Sequence, residues 1–180
     1  MIEKLPQVTL RKITDYIKFF VCLLIIYFVF WAWQHYDLIP IPVEHYQMAP
    51  IFRSGDLHKG IRQDHWYDLK YGDVVYLDFP WQKDIKRREL LFFARVIGLP
   101  GDSISFQNGR CYRNGTLLEE SYVSESSIGT EDYSEIFVPR DYVYLLVDNR
   151  NNFSKEIFYR DSRFLGPIPV HIVQGCILPK

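Results

Sequence analysis

The sequence predicts a mainly β protein with one transmembrane helix at its N-terminus. One long apolar segment lies near the start, and the rest of the chain consists of short apolar segments separated by Gly, Pro and Asn turns. Aromatic residues make up 17% of the 180 residues, and such residues favour strands and membrane-facing surfaces. The net charge of −1 gives no general attraction to nucleic acid, so we expect no nucleic-acid partner.

The apolar segment at 13–36 is the predicted membrane anchor. Residues 19–33 contain no charge or amide, and residues 13–18 extend the segment to the length that a hydrocarbon core of about 30 Å requires. Lys18 can extend to the head groups, and Trp31, Trp33 and Tyr36 form an aromatic belt at the other end. The segment has no small-residue cleavage site, so we expect it to be retained. The alternative is a buried core helix.

The distribution of positive charge predicts the orientation of the anchor in a plasma membrane. Four basic residues precede the uncharged run 19–33, and no Lys or Arg follows it until Arg53; the four are Lys4, Arg11, Lys12 and Lys18. The positive-inside rule therefore places residues 1–12 in the cytoplasm as a short tail and everything after the span outside. Residues 37–44 read as a stiff linker because Pro40 and Pro42 favour extended geometry.

Residues 45–180 are predicted to form an extracytoplasmic domain of antiparallel strands, with 103–145 as a small β cap. Asn108-Gly109 and Asn114-Gly115 each separate two short strands, which is a strong hairpin signal. The apolar run 90–97 reads as a buried strand with Arg95 as its one charge. Gly98 and Gly101, on either side of Pro100, predict a tight turn in which Asp102 accepts backbone hydrogen bonds.

The three cysteines are Cys22, Cys111 and Cys176. An odd count with no paired Cys or His spacing predicts neither a disulfide framework nor a metal site. We also expect no cofactor.

Four segments together resemble the type I signal peptidases, which are membrane-anchored serine proteases with a Ser/Lys dyad. They occur behind the anchor in the order found in that family: 45–56, 71–77, 93–102 and 148–163. The most recognisable is Arg95–Asp102, RVIGLPGD. The resemblance implies the peptidase fold and a groove that binds an extended peptide. On the matching positions, that groove would include His45, Gln47, Met48, Pro50, Phe93 and Ala94.

The positions that carry the chemistry of the family are changed in this sequence. The nucleophilic serine falls on Gln47, and an amide cannot attack a carbonyl. The lysine base falls on Ala94, which should share a strand face with Phe92 and Val96. The hydroxyl that often helps to hold the oxyanion falls on His45. We therefore predict that no intact catalytic residue remains.

The remaining matches are residues that shape turns or pair charges in the family. Two departures occur in the last box: Val147 replaces a glycine, and Tyr159 falls where a serine orients the lysine, with Ser154 as the nearest hydroxyl. The residues expected to keep a structural role are Gly55, Asp56, Arg95, Gly98, Pro100, Gly101, Asp102, Asp148, Arg150, Asp161 and Arg163.

The resemblance implies a catalytically inactive relative that acts as a binding or chaperone factor at the cell surface. Signal-peptidase-like accessory proteins of this kind support pilus assembly in Gram-positive bacteria. Its expected partners are the membrane and pilin subunits, a sortase or signal-peptide-like segments. The alternatives are an active signal peptidase with a displaced nucleophile, an active enzyme inactivated deliberately by substitution, or a structural membrane protein that uses Trp66 and Trp81.

Overall fold

The computed structural model describes residues 7–40, 47–52, 55–62, 68–77, 92–151 and 161–178. They fall into two compact units, divided between Asp37 and Leu38. The first unit is dominated by helix α1 (Gln7–His35). The second carries the strands β1 (Tyr36–Pro40, which begins in the first unit), β2 (Leu57–Arg62), β3 (Val74–Leu77), β4 (Phe92–Gly98), β5 (Ser103–Gln107), β6 (Arg110–Arg113), β7 (Thr116–Leu117), β8 (Tyr133–Phe137), β9 (Tyr142–Leu146), β10 (Ile168–Pro169) and β11 (Val173–Ile177), with the short helix α2 (Ser162–Leu165).

Helix α1 is long and apolar enough over residues 11–35 to cross a membrane. Its side chains from 11 to 30 are all exposed, as a helix in contact with lipid requires. The helix ends at His35, where the imidazole hydrogen-bonds the carbonyl oxygen of Trp31 at 2.8 Å and stacks on the indole ring. Tyr36, expected as the last residue of the span, begins β1 instead.

The larger sheet has seven strands in the order β1-β2-β11-β3-β4-β9-β10. The registers from β2 to β10 are antiparallel, which confirms the predicted mainly β architecture. Strand β4 lies inside the sheet and is buried along its whole length, as a short continuous apolar run predicts. The extended geometry expected at the start of the linker is present in β1, at one edge of this sheet.

The smaller sheet has four strands in the order β7-β6-β5-β8. Both predicted Asn-Gly turns are present: φ is 48° at Asn108 and 52° at Asn114, and the glycine after each also has a positive φ. These values are those of the turns that match the twist of a hairpin. The sheet ends at Phe137, so the segment expected as a cap, 103–145, includes a strand that lies elsewhere: β9 pairs with β4 in the larger sheet.

Strand β9 divides the core of the second unit between two apolar clusters. Val143 and Leu145 pack in the larger cluster, with β3, β4 and β11. Tyr144 and Leu146 belong to the smaller cluster, with Ile104, Phe106 and other residues of the four-stranded sheet. Alternate side chains of one strand point to opposite faces, so β9 is buried on both sides.

Gly98 is required for space rather than for backbone conformation. Both Gly98 and Gly101 were candidates for a positive φ, but only Gly101 has one, at 95°. A Cβ built on Gly98 would lie 3.1 Å from Ile104 Cδ1 and 3.1 Å from Tyr144 Cβ, whereas Gly101 has open space around it. Gly98 therefore lets strands β4, β5 and β9 approach closely.

We predict that side-chain volume decides the cost of substitution at Gly98 and that φ decides it at Gly115, which has a φ of 75° and open space around it. Gly98→Ala should destabilise the protein by about 1–3 kcal/mol because the added methyl overpacks the site. Gly98→Asn should cost more, whereas Gly115→Asn should cost less than Gly115→Ala because Asn tolerates a positive φ. Thermal unfolding of the four variants in detergent checks this, and equal ranking at both positions would contradict it.

Candidate functional site

Gln47 is fully buried at the start of the turn that runs to Phe52. Its side chain is 1% exposed, and neither amide atom has a hydrogen-bond partner in the described part of the chain. Its carbonyl oxygen accepts a 2.8 Å hydrogen bond from the N–H of Asn149, and Phe52 N–H closes the turn on the carbonyl oxygen of Met48 at 3.1 Å. The turn thus holds Gln47 against the segment that follows β9.

Ala94 lies in the middle of the larger sheet, with no exposed surface. It pairs with Val75 on β3 and packs in the same apolar cluster as Met48 and Phe93. Its neighbour Arg95 is in register with Leu146, three residues before the Asn149 that binds Gln47. The sheet and the turn therefore bring positions 47 and 94 toward the same pair of strands, β4 and β9.

The other predicted groove residues are placed unevenly. Met48 and Phe93 are buried, and Pro50 is exposed at the surface of the turn. His45 lies outside the described residues, as do Ser54, Ser154, Tyr159, Trp66 and Trp81. Among the described residues of the second unit, the lysines are Lys59 on β2 and Lys70 in the turn before β3, and both are exposed.

The two central positions supply no group for acyl transfer. Gln47 offers a neutral amide, which neither attacks a carbonyl nor exchanges protons near neutral pH. Ala94 offers a methyl group. What the pair can supply is hydrogen bonding from one buried amide beside an apolar surface.

Arg95 is the electrostatic centre of the site. Its Nε donates to Asp148 Oδ1 at 2.8 Å and its Nη2 to Oδ2 at 2.5 Å, which is a bidentate pair between β4 and the end of β9. Nη1 donates to the carbonyl oxygen of Gly72 at 2.8 Å, and the guanidinium lies 4.1 Å from the ring centre of Tyr122. Burial raises the pKa of Asp148, and the hydrogen bonds and charge of Arg95 oppose that effect.

A second cluster of charged side chains joins Arg150 to the short helix α2. Asp161 accepts from the N–H of Arg163 at 3.1 Å as the N-cap of α2, and Arg163 Nε and Nη2 return to the same carboxylate. Arg163 Nη1 donates to the carbonyl oxygen of Arg150 at 3.0 Å, while Arg150 Nη2 pairs with Glu120. Through Arg150, these contacts join α2 to the segment that follows β7.

Asp102 stabilises the turn after β4, as its position predicted. Its Oδ2 accepts from Leu99 N–H at 2.8 Å and from the hydroxyl of Tyr71 at 3.0 Å. Its Oδ1 accepts from the side-chain amide of Asn114 at 2.8 Å, which ties this turn to the β6–β7 hairpin. Burial, followed by the hydrogen bond to Asp102, raises the pKa of Tyr71.

Some residues of the site carried no role in the sequence pattern. Tyr122 lies in none of the four boxes, yet its ring covers Arg95. Ser162 accepts a 2.9 Å hydrogen bond from the N–H of Leu145 at its buried hydroxyl. Spacing along the chain does not report such contacts, because each joins residues at least 17 positions apart.

A unit of antiparallel strands that follows in sequence a helix able to span a membrane, together with the four boxes, defines the class of protein. The model of the family "Signal peptidase, peptidase S26" matches residues 13–178. The chain belongs to this family.

The chain is similar to signal peptidases of several bacteria. It is 30% identical to signal peptidase I P of Bacillus subtilis subsp. natto over 150 residues, which cover 78% of this chain and 76% of the relative. It is 37% identical to the probable signal peptidase I-2 of Synechocystis over 102 residues, which cover 57% of this chain but only 43% of that relative. A solved structure of a signal peptidase I from Enterococcus faecalis aligns with 63% of this chain and 98% of that one, at 25% identity and a TM-score of 0.47.

We predict that the Arg95–Asp148 pair is a main contributor to stability. Asp148→Asn keeps the size of the side chain but leaves the buried guanidinium without its counter-charge, and we expect a loss of about 3 kcal/mol. The control is Glu125→Gln, which removes the exposed partner of Arg110 at 3.8 Å and should cost less than about 0.5 kcal/mol. Denaturant unfolding measures both, and similar losses would contradict this prediction.

We predict that the amide of Gln47 destabilises the free protein. Gln47→Met keeps a similar volume and removes a buried polar group without partners among the described residues, so unfolding should become about 1–3 kcal/mol less favourable. Gln174→Met, at an exposed position of β11, is the matched control and should change stability little. A lower melting temperature for Gln47→Met would show that the amide is satisfied in the native state.

Proposed function

We propose that this protein is a non-catalytic member of the signal peptidase family that holds an extended polypeptide without cutting it. The observation that carries the proposal is the pair of residues at the two reactive positions. Gln47 has a buried side-chain amide, and Ala94 is a fully buried residue of strand β4. Hydrolysis by a dyad requires a nucleophile and a base within hydrogen-bond reach, and these two side chains offer neither.

The buried amide of Gln47 is suited to recognition of a peptide backbone. A carboxamide donates and accepts hydrogen bonds, as each peptide unit of an extended chain also does. Extended peptides are commonly bound through main-chain hydrogen bonds, with pockets for alternate side chains. Because Gln47 is 1% exposed in the free protein, a bound segment would reach its amide by displacing part of the turn that runs to Phe52, and it would then supply the partners that Gln47 does not have among the described residues.

We infer from the resemblance that the partner belongs to pilus assembly at the surface of a Gram-positive cell. The protein would be anchored by α1 with its N-terminus in the cytoplasm and residues 45–180 outside. In that location it would meet secreted pilin subunits and a membrane-bound sortase. Its role would be to retain one of these as a chaperone or docking factor.

The second candidate is an active signal peptidase, since the relatives described above carry that name. This function would require a nucleophile and a base other than the side chains at 47 and 94. Ser54 lies inside the first box, seven residues after Gln47, and Ser154 lies inside the last box.

One experiment tests both candidates. A photo-crosslinking amino acid replaces Ile51, which is 51% exposed on the same turn as Gln47, in the full-length protein. The protein is incubated in proteoliposomes with a pilin precursor, a sortase and an unrelated preprotein. The same probe at Thr116, exposed on β7, is the matched control. We expect adducts with a pilin, a sortase or a signal-peptide segment from position 51 and not from 116, and no cleavage of any precursor.

The outcomes separate the proposals. Cleavage of a precursor by the unmodified protein would establish the peptidase instead. Equal capture from positions 51 and 116 would reject the groove. Gln47→Ser combined with Ala94→Lys is the positive control for geometry, because regained cleavage would show that the remaining active-site frame is intact.

A further inference from the structure

A cavity of about 290 Å³ opens at one end of the larger sheet, next to the turn that carries Gln47. It lies where β2 and β3 begin and β11 ends. Its walls are mostly apolar and consist of Ile51, Phe52, Val74, Ile177 and Leu178. The volume far exceeds the share of one water molecule, about 30 Å³, and lies just below the range of about 300–1,000 Å³ typical of drug-sized ligands. It suits a single large side chain.

The polar groups on the wall are His58, Asp73 and Arg95. His58 is 94% buried, its ring packs 4.7 Å from that of Phe52, and its Nε2 has no hydrogen-bond partner in the described structure. Asp56 Oδ2 lies 3.6 Å from that nitrogen, which is too long for a hydrogen bond. A buried imidazole in this state is costly unless a further group satisfies it.

We propose that this cavity binds the side chain of a tyrosine from a polypeptide partner. The apolar walls favour an aromatic ring. The carboxylate of Asp73 disfavours an anionic group, and the guanidinium of Arg95 disfavours a cationic one, so a neutral hydroxyl is the best polar end. A hydroxyl both donates and accepts, and it therefore suits either tautomer of His58.

The choice of a polypeptide as the occupant depends on the position of the cavity and on the proposed function. Ile51 and Phe52 belong to the same turn as Gln47, so a chain held at Gln47 would have a side chain within reach of the cavity. Arg95 connects the two places, because it lines the cavity and also pairs with Asp148, next to the Asn149 that binds Gln47.

The test compares N-acetyl-tyrosinamide with N-acetyl-phenylalaninamide, which differ by one hydroxyl. Both are titrated into the full-length protein in detergent, and the NMR signals of its labelled histidine rings are followed. We expect saturable changes at His58 and an affinity about tenfold higher for the tyrosine compound. The preference should vanish in His58→Phe and remain in His171→Phe, whose side chain is exposed away from this cavity.

Equal affinities for the two compounds, an absence of saturable change at His58, or an unchanged preference in His58→Phe would each overturn the proposal. If His58→Phe does not fold, the comparison of the two compounds with the unmodified protein decides it. Tyrosine-selective binding without crosslinking from position 51 would support the cavity and reject the groove. Crosslinking from position 51 without tyrosine selectivity would reject the cavity alone.

Discussion

The buried ion pair between Arg95 and Asp148 is the interaction on which the rest of the structure depends. The guanidinium of Arg95 joins β4 to the segment after β9. It also donates to the carbonyl oxygen of Gly72 in the turn before β3 and packs against the ring of Tyr122. Each of these groups comes from a different part of the chain. Both charges are desolvated, so the arrangement is favourable only while all of the hydrogen bonds are made together. Arg95 lines the cavity beside His58, and Asp148 precedes the Asn149 that binds Gln47, so both places lie next to this pair.

The residues that shape the turns of the site differ in role from the two positions on which the resemblance places the reactive pair. Turn residues such as Gly101 and Asp102 serve the backbone, and their requirements do not depend on the chemistry performed nearby. Positions 47 and 94, in contrast, are buried within the sheet and its adjoining turn. An apolar side chain of suitable volume is accommodated there more readily than the amide of Gln47, which has no hydrogen-bond partner among the described residues. A change at these positions can therefore alter the chemistry of the site and leave the architecture in place.

Much of the fold could be predicted from local patterns, whereas the contacts of the site could not. The apolar run of β4, the Asn-Gly turns and the helix at the N-terminus are each determined within a few residues, and all are present. The sheet to which β9 belongs was missed because its alternating pattern fits either sheet. The contact between the Tyr122 ring and Arg95 and the burial of His58 both depend on the order of the strands in the sheet. Spacing along the chain does not encode that order.

The position of β9 between two apolar clusters has a consequence for how the second unit loses its structure. Val143 and Leu145 pack in one apolar cluster, and Tyr144 and Leu146 pack in the other. Unfolding of either sheet would therefore expose apolar side chains of β9 and remove packing from the other sheet. The strand also cannot slip by one residue, because every side chain would then enter the wrong cluster. The two sheets should thus melt in a single cooperative transition, in which the four-stranded sheet has no independent stability.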